Sequence, residues 1–341
     1  MRLLIVGSDK IYAIENFYAK YIAEQGVEVQ LFTAQNFFYD YYQRSLANKL
    51  IYKTGFSSII RQINDRLIKV VEEFKPEVVW VFKGMEITPE CLLSIKGKNI
   101  MLVNYNPDNP FIFSGKGSGN KNVRRSIPLY HLHFTYDAST RLRLEKEFNA
   151  LTAMLPFGFD VSEDIYQKCQ ALPEYNKICF LGNPDEPRAN ALAALLNKGF
   201  SVDVYGNNWQ KFIEHKNLGI HGPIYGEPFW KALAQYRVQL NLMRIHNKDS
   251  HNMRTFEIAG IGGIQLAPAT PDHRMFFENE KEIFLFSDMD ECAVLARKLL
   301  DLPRPEASQI RMRARKRALD SGYGYRDRAR SALQRIKNLH G

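Results

Sequence analysis

Apolar runs of strand length alternate along the chain with longer segments whose apolar residues recur at helical spacing. Arg2–Val6 predicts a strand, Ile14–Gln25 has a helical period, and Val27–Phe32 predicts a second strand. From Gln43 to Phe74 the spacing predicts one long helix. Alternation of this kind is typical of parallel α/β layers, because each crossover between parallel strands needs a helix.

The alternation runs through the first half of the chain and restarts after a polar stretch. The first half predicts the further strands Glu77–Phe82, Asn99–Asn104, Leu129–Thr135 and Thr152–Leu155 and the helices Pro89–Ser94 and Ala138–Phe148. The second half predicts the strands Lys177–Leu181, Ser201–Tyr205, Gly219–His221, Val238–Met243, Ile264–Ala267 and Ile283–Phe286 and the helices Arg188–Asn197, Glu227–Tyr236, Arg254–Ala259 and Asp290–Leu300. Two doubly wound α/β domains are therefore predicted, with a boundary between Pro156 and Tyr175.

Length and composition favour a folded protein of two domains. The chain has 341 residues, and domains typically contain ~100–200. A hydrophobic fraction of 45% and a charged fraction of 24% exclude a disordered or collagen-like chain. No apolar run approaches the ~20 residues that cross a bilayer, and Leu3–Val6 is shorter than the ~7–15 residues of a secretory core. The four cysteines form no Cys-x-x-Cys pair, so we expect no zinc ribbon or disulfide scaffold and a reducing, cytoplasmic location.

The formal net charge is +9, and basic residues are concentrated near the C-terminus. The segment carries Arg304, Arg311, Arg313, Arg315, Lys316, Arg317, Arg326, Arg328, Arg330 and Arg335. Such a segment is either a solvated helix face or a site for an anionic membrane, a polyanionic glycan or nucleic acid. No RNP motif, helix-turn-helix or zinc site accompanies the charge, so we expect no nucleic-acid partner.

Motifs in both halves of the chain carry a family resemblance. They are Arg254–Gly260 with Gly262-Gly263, Phe276 and Glu280-Lys281-Glu282, the strand Tyr236…Leu240-Asn241-Leu242, the turn Asn104–Pro110 and the closing Tyr325–Ala329. These motifs resemble GT-B glycosyltransferases, and most closely the CgeB-like (spore-maturation-type) family. The resemblance implies two doubly wound Rossmann-like domains facing across a cleft. Residues 1–160 would bind the acceptor, residues 161–322 the nucleotide sugar, and the helix within 323–341 would cross back to the N-terminal domain.

The resemblance also implies an activity. Such an enzyme transfers a sugar from a nucleotide-diphosphate sugar, without a metal or other cofactor, to a glycan, lipid-linked or protein acceptor, as in cell-surface polysaccharide synthesis. It is expected in the cytoplasm, with the basic C-terminus as a candidate for peripheral contact with the inner face of the membrane. Asp288-Met289-Asp290 has the Asp-x-Asp pattern of a metal site, but it precedes a predicted helix and is interpreted as a helix cap.

Glu257 is the principal candidate for binding the donor. In the family pattern the second Glu of a Glu-x7-Glu pair lies here and binds ribose hydroxyls, whereas the first falls on Asp249, a shorter acid. The alternative is a carboxylate that only stabilises a helix N-terminus. Arg254, one turn earlier, has the fork geometry to bind a diphosphate. The other nucleotide-sugar candidates are Gly182, Asn183, Arg188, Tyr205, Gly206, Tyr225 and Asn252, whose alternative is ordinary loop and turn chemistry.

Asp108 is the catalytic candidate in the first half. It follows a predicted strand in a stiff turn between Pro107 and Pro110, where an inverting transferase needs a base, and the alternative is an Asx turn. Gly115–Lys121 lacks the spacing of a P-loop and is either a mobile loop over the acceptor or a flexible linker. The aromatic segment Phe37–Tyr42 is either a stacking platform for an acceptor or part of the core.

Two further functions are compatible with the same fold. A non-catalytic GT-B scaffold would bind a nucleotide without turnover. A nucleotide-sugar epimerase would convert its ligand in the absence of an acceptor, so product analysis without an acceptor separates it from a transferase.

Overall fold

The chain divides into two compact units in the computed structural model, which describes residues 1–112 and 119–340. The first unit comprises residues 1–156 and 326–341, and the second comprises residues 157–325. Each unit is built on one parallel six-stranded sheet. Of the predicted mobile loop, Gly115–Ser118 lie outside the described residues.

Helices separate successive strands of the first unit. Its strands are β1 (Arg2–Val6), β2 (Glu28–Phe32), β3 (Val78–Phe82), β4 (Met101–Asn106), β5 (Leu132–Thr135) and β6 (Thr152–Met154). Its helices before the second unit are α1 (Ile14–Ala23), α2 (Ala34–Arg44), α3 (Leu46–Lys53), α4 (Ile59–Phe74), α5 (Pro89–Lys96), α6 (Lys121–Ser126) and α7 (Ala138–Phe148). The strands lie in the order β2-β1-β3-β4-β5-β6. The order reverses between β1 and β3, where a doubly wound sheet opens a crevice at its carboxyl edge.

β3 contains only apolar residues because both of its faces are covered. Every side chain from Val78 to Phe82 is buried, and Leu67 and Leu92 pack on one face of the sheet. On the other face Tyr18 makes an edge-on contact with Trp80, with 5.0 Å between the ring centroids. A central strand of a parallel sheet is therefore a continuous apolar run rather than an alternating one.

The prediction of one continuous helix from Gln43 to Phe74 is wrong, because the structure divides this stretch among α2, α3 and α4. Ser45 is extended and caps α3, accepting a hydrogen bond from the Asn48 amide at 3.0 Å. Gly55 follows α3 with φ = 81°, a left-handed conformation that glycine adopts without steric cost. A serine cap and a glycine turn thus override the helical spacing of the apolar residues.

The second unit repeats this architecture with a different strand order. Its strands are β7 (Tyr175–Leu181), β8 (Val202–Tyr205), β9 (Leu218–His221), β10 (Tyr236–Leu240), β11 (Gln265–Pro268) and β12 (Phe284–Phe286). Its helices are α8 (Glu163–Gln170), α9 (Glu186–Asn197), α10 (Glu227–Gln235), α11 (Met253–Gly260), α12 (Pro271–Phe276), α13 (Met289–Leu300) and α14 (Arg304–Asp320). The strands lie in the order β12-β11-β10-β7-β8-β9. The order reverses between β7 and β10, so the Rossmann-like crevice of this unit lies at their carboxyl ends.

Arginines of α14 bind carboxylates within the second unit. Arg311 donates to Glu174 at 2.7 Å, and Arg315 donates to Glu163 at 2.7 Å. The Arg315 guanidinium also lies 3.4 Å from the centroid of the Tyr166 ring. Because Arg315 is only 7% exposed, the interpretation of the basic segment as a solvated helix face is wrong for this residue.

The final helix, α15 (Tyr325–His340), belongs to the first unit from Arg326 onward. Arg326 pairs with Glu24 at 2.7 Å, and its guanidinium lies 4.8 Å from the Tyr21 ring centroid. Three residues of α15 have no exposed surface: Ala329, Ala332 and Ile336. In the described part of the chain, no helix combines the length and the apolar character needed to cross a bilayer.

Candidate functional site

The β7–β10 junction brings two loops of the second unit together. β7 ends at Leu181 and is followed by the turn that begins at Gly182, whereas β10 ends at Leu240 and is followed by a loop that reaches Asn252. The two strands are neighbours in the sheet. After β7 the chain continues to β8 on one side of this pair, and after β10 it continues to β11 on the other side. The carboxyl ends of β7 and β10 are therefore the usual ligand position of a doubly wound fold.

The turn after β7 packs closely against the turn after β8. A Cβ atom on Gly206 would overlap the carbonyl oxygen of Gly182, so only glycine fits there without a backbone shift. The same carbonyl accepts a hydrogen bond from Nε1 of buried Trp209 at 2.8 Å. Asn183 Oδ1 accepts from the Asn207 amide at 2.9 Å. Three predicted donor-site residues, Gly182, Asn183 and Gly206, therefore form one tightly packed structure.

Arg188 is buried and connects the two loops. It lies in the first turn of α9, where the capping residue Asp185 accepts from the Arg188 amide at 3.0 Å. Its Nη1 donates to the Asn183 carbonyl at 3.1 Å, and its Nη2 donates to the Leu242 carbonyl at 2.8 Å. The structure thus places this predicted ligand-binding side chain against the backbone of both loops.

Positive charge accumulates at the junction. Burial lowers the pKa of Arg188 to about 10, Asp185 opposes this shift, and the charges of Arg244 and Arg254 add to it. Arg244 and Lys248 are exposed on the loop after β10. The charges of Arg188, Arg244 and Arg254 act on one another here, and together they favour an anionic ligand such as a diphosphate.

Arg254 and Glu257 lie one turn apart in α11 and form an ion pair. Arg254 Nε donates to the Leu181 carbonyl at 3.1 Å, and its guanidinium lies 4.5 Å from the Phe229 ring centroid. The Arg254 side chain keeps 28% of its surface exposed, which leaves it accessible to an anion. Burial raises the pKa of the Glu257 carboxyl, and Arg254 acts in the opposite direction. The pair therefore combines a reachable cation with a buried hydrogen-bond acceptor.

A chain of polar side chains fixes the N-terminus of α11. Asn252 Oδ1 accepts from the Thr255 amide at 3.2 Å, and Asn252 Nδ2 donates to Asn241 at 2.8 Å. Thr255 Oγ1 lies 3.0 Å from His273 Nε2, and His273 Nδ1 lies 2.8 Å from the Pro268 carbonyl. Because a carbonyl only accepts, Nδ1 of His273 donates and Nε2 accepts. Burial lowers the pKa of His273 to about 4, which agrees with a neutral ring.

The pair of His251 and Asp272 is a feature that the sequence does not reveal. His251 Nδ1 lies 2.7 Å from Asp272 Oδ2, which also accepts from the Ser250 hydroxyl at 2.7 Å. The Phe157 amide donates to His251 Nε2 at 3.4 Å, so the ring donates through Nδ1. Burial opposes ionisation of Asp272, yet the hydrogen bonds from His251 and Ser250 lower its pKa overall. Only the packing of α12 against the loop brings these partners together, since they are 21 residues apart.

The tyrosines Tyr205 and Tyr225 occupy different surroundings. The Tyr205 hydroxyl lies 2.9 Å from that of Tyr236, the first residue of β10, which donates to Asp203 at 2.7 Å. The Tyr205 ring stacks on His221 with 4.6 Å between the centroids. Tyr225 is 44% exposed just before α10. The residues that the structure brings together at the junction are Gly182, Asn183, Arg188, Gly206, Asn252, Arg254 and Glu257.

Asp108 and Lys83 form an ion pair at the carboxyl ends of β3 and β4 in the first unit. Asp108 Oδ2 lies 2.8 Å from Lys83 Nζ. Lys83 has φ = 59°, a left-handed conformation that is strained for a lysine. The Asn106 side chain accepts from the Asp108 amide at 3.0 Å, so Asn106 rather than Asp108 makes the Asx turn. The Asp108 carboxylate is therefore not used in the turn and pairs with Lys83. The Asp108 side chain is 47% exposed.

Glu15 is a second carboxyl group at this edge, and its burial is not evident from the sequence. Its Oε1 accepts from the Ser8 amide at 3.2 Å and from Gln35 at 3.3 Å. A Cβ atom on Gly7 would come within 2.5 Å of that oxygen, so Gly7 leaves the space that Glu15 occupies. Burial raises the pKa of Glu15 to about 7, and hydrogen bonds and the charge of Lys83 offset it only in part.

The Asp-x-Asp segment is a helix cap, as the sequence predicts. Asp288 Oδ1 accepts from the amides of Asp290 and Glu291, each at 2.9 Å, at the start of α13. Over residues 1–112 and 119–340, no three side chains of His, Cys, Asp or Glu converge as metal ligands do.

Comparison with known proteins relates the chain to glycosyltransferases. Residues 188–334 match a family model described as glycosyl transferase-like. Sucrose-phosphate synthase from Thermosynechococcus elongatus is similar in structure, with a TM-score of 0.73 and 10% identity over 99% of both chains. HepE from Anabaena in complex with UDP-glucose has a TM-score of 0.66 and 11% identity over 99% of this chain and 100% of that one. No curated protein matches the chain by sequence.

A UDP-GlcNAc 2-epimerase is also similar in fold. The Neisseria meningitidis enzyme bound to UDP-GlcNAc has a TM-score of 0.58 and 14% identity over 99% of this chain and 100% of that one. At such low identities, the structural likenesses establish the fold alone. The chain has two parallel six-stranded sheets with flanking helices, the GT-B fold, and together with the family match this supports a glycosyltransferase.

Proposed function

We propose that the protein transfers a sugar from a nucleotide-diphosphate sugar to an acceptor hydroxyl. The observation that carries the proposal is the convergence of Arg188, Arg254 and Glu257 on the β7–β10 junction. It supplies positive charge for a diphosphate and a buried carboxylate for a diol, at the position where doubly wound sheets bind ligands. Uridine diphosphate is the first nucleotide to test, because HepE and the epimerase are both bound to UDP-sugars.

Glu257 is proposed to hold the ribose of the donor. A carboxylate accepts hydrogen bonds from both hydroxyls of a vicinal diol, and Arg254 favours the ionised form that this requires. Arg254 is proposed to bind the diphosphate through its exposed guanidinium. Arg188 and Asn252 act indirectly, because their hydrogen bonds hold the two loops and the start of α11 in position.

The chemistry requires a leaving group and the removal of one proton. The bond from the anomeric carbon to the diphosphate oxygen breaks, and a bond from that carbon to the acceptor oxygen forms. Arg254 is proposed to stabilise the charge that develops on the departing diphosphate, and the reaction is proposed to need no metal ion. Asp108 is proposed to take the proton of the acceptor hydroxyl, with Lys83 holding its carboxylate in place. In a retaining enzyme the leaving phosphate would take that proton instead.

The acceptor is proposed to be a glycan, a lipid-linked molecule or a protein. Membership of the CgeB-like family is part of the same proposal and is supported by the motifs Arg254–Gly260 and Asn104–Pro110. The likeness to UDP-GlcNAc 2-epimerase favours a nucleotide-sugar epimerase as the second candidate. Such an enzyme would release an epimerised sugar or sugar nucleotide when it is incubated without an acceptor.

Thermal unfolding with a panel of nucleotide diphosphates and their sugars tests the donor site. A ligand at ~100 times its dissociation constant stabilises a protein by ~2.7 kcal/mol, enough to raise the melting temperature visibly. One class of nucleotide is expected to raise the melting temperature. A panel in which no nucleotide changes the melting temperature would contradict the proposal.

Product analysis then distinguishes the three functions. Asp108→Asn is expected to lower transfer by ~10²–10⁴-fold if Asp108 is the base, without changing the nucleotide-induced shift. Asp65→Asn, at an exposed aspartate of α4, is the matched control. Epimerised product without an acceptor would assign the epimerase, and nucleotide binding without turnover on any acceptor class would assign a scaffold.

A further inference from the structure

The short helix α3 has an exposed apolar face. None of its eight residues is buried, and Leu46 and Leu50, one turn apart, are 82% and 64% exposed. Phe56, just after the helix, is 87% exposed. Exposed apolar residues are normally scattered singly over a soluble surface, whereas a group of large ones marks an interaction site.

Basic residues accompany this face. Between Tyr41 and Asn64 the sequence has no Asp or Glu and carries Arg44, Lys49, Lys53 and Arg61. On α3 each lysine lies three residues after an exposed leucine, so the lysines flank the apolar stripe on one side. Lysine beside leucine and phenylalanine is the pattern of a helix that lies in the interface of an anionic membrane.

Aromatic contacts hold the opposite side of α3 against α2. The Tyr52 ring lies 4.9 Å from that of Phe38 and 5.7 Å from that of Tyr42. Asn48 Nδ2 donates to the Tyr41 carbonyl at 2.8 Å, and Phe38 packs against the core of the first unit. The aromatic segment of α2 is therefore largely a packing element, and it presents the leucines of α3 to solvent.

One tyrosine of α2 is influenced by the charges of the ion pair of Asp108 and Lys83. Tyr39 of α2 is 47% exposed. Burial raises the pKa of Tyr39, Lys83 opposes this effect, and Glu86 and Asp108 add to it, which places the phenol within reach of their charges.

We propose that α3 and Phe56 bind the surface of an anionic phospholipid bilayer. Leu46, Leu50 and Phe56 enter the boundary between headgroups and acyl chains, and Lys49 and Lys53 contact the phosphates. Charge complementarity selects this occupant, because the segment is basic throughout. The basic helix α14 is less suited, since its arginines at positions 311 and 315 already bind carboxylates.

Membrane binding through α3 would also narrow the choice of acceptor, and this step rests on the proposed transferase function. A transferase held at a bilayer through α3 would meet acceptors that are carried by lipids. Of the three proposed acceptor classes, the lipid-linked one is therefore selected.

Co-sedimentation of the full chain with vesicles tests the proposal. Binding is expected to equimolar phosphatidylcholine and phosphatidylglycerol, not to phosphatidylcholine alone, and is expected to weaken above ~0.15 M salt as charges are screened. The variant L46S/L50S/F56S should bind about a hundredfold more weakly, because it loses the apolar contacts. The variant K49E/K53E should bind at least about tenfold more weakly. The matched control is L93S/L142S, at leucines that are 53% and 49% exposed on α5 and α7, and it should bind like the wild type.

Other outcomes would overturn the proposal. The proposal fails if the wild type does not bind anionic vesicles, or if L46S/L50S/F56S binds them as tightly as the wild type. It also fails if vesicle binding is lost only in the α14 variant R304E/R313E. A wild-type dimer that L46S/L50S/F56S abolishes, without vesicle binding, would make the face a self-association surface instead. The nucleotide-induced thermal shift of each variant separates this proposal from the proposed function, because L46S/L50S/F56S should retain it.

Discussion

Arg188 and Arg254 cross the β7–β10 junction in opposite directions. Arg188 begins in the helix after β7 and donates to the Leu242 carbonyl at 2.8 Å, whereas Arg254 begins in the helix after β10 and donates to the Leu181 carbonyl at 3.1 Å. Each strand end is therefore held by a side chain from the helix that follows the other strand. Arg188 is 8% exposed and the Arg254 side chain is 28% exposed, so we expect a structural role for the first and a ligand contact for the second.

Lysine substitutions separate these two roles. Arg188→Lys is expected to lower the free energy of unfolding by about 1–3 kcal/mol, because one buried carbonyl loses its donor. Arg254→Lys should lower stability by a smaller amount, about 1 kcal/mol, because its hydrogen bond to the Leu181 carbonyl is only partly buried. It should weaken nucleotide binding about tenfold to a hundredfold, since an ammonium cannot replace the fork of a guanidinium. Urea denaturation and calorimetric titration measure the two effects. Equal effects of both substitutions on both quantities would contradict the assignment.

Glu257→Gln tests the ribose contact. The amide keeps the shape of the side chain but replaces an acceptor oxygen by a donor, so the nucleotide affinity is expected to fall about tenfold or more. Glu306→Gln is the control, because Glu306 is an exposed carboxylate in the first turn of α14. Thermal shifts with nucleotide measure both variants. If Glu257 only stabilises its helix N-terminus, the two variants will show the same nucleotide response.

Gly206→Ala is expected to displace the turn after β7. The new Cβ atom would overlap the Gly182 carbonyl, at a cost of about 1–3 kcal/mol in the free energy of unfolding, and nucleotide binding should weaken with it. Gly222→Ala is the matched control, because no atom lies within 4 Å of its added Cβ. Chemical denaturation of both variants checks the prediction, which fails if they lose equal stability.

Glu15 is expected to make stability depend on pH. Its pKa rises from 4.5 to about 7 on folding, so the folded state binds the proton more tightly than the unfolded state. Its stabilising contribution is complete below pH 4.5, declines by up to ~3 kcal/mol as the pH rises to about 7, and changes little above that. The difference between the pH profiles of wild type and Glu15→Gln isolates this slope. Glu28→Gln, at an exposed glutamate of β2, should retain the wild-type profile.

The buried strands were the most predictable part of the fold. The sequence predicts β3 as Glu77–Phe82, and the strand extends from Val78 to Phe82. The agreement is close because a strand covered on both faces leaves an uninterrupted apolar run in the sequence. The stretch from Gln43 to Phe74 was less predictable. Its apolar spacing is helical throughout, and only the local conformations of Ser45 and Gly55 show where the helices end.

The candidate site was predictable where its residues share one element. Arg254 and Glu257 pair because they are three residues apart on a helix, which the sequence alone indicates. The insertion of Arg188 between two loops and the pairing of His251 with Asp272 depend on which loops the strand order brings together. The contacts of these residues are thus known from the structure, and the roles of Glu257 and Arg254 in ligand binding stay predictions.

The return of α15 to the first unit has a consequence for synthesis on the ribosome. Residues 157–325 form the second unit and emerge before Arg326 and the residues that follow it. Ala329, Ala332 and Ile336 are fully buried, and Arg326 contacts Glu24 and Tyr21 near the start of the chain. The first unit is therefore started first and completed last. The surface that α15 covers in the first unit stays exposed while the second unit is made and folds.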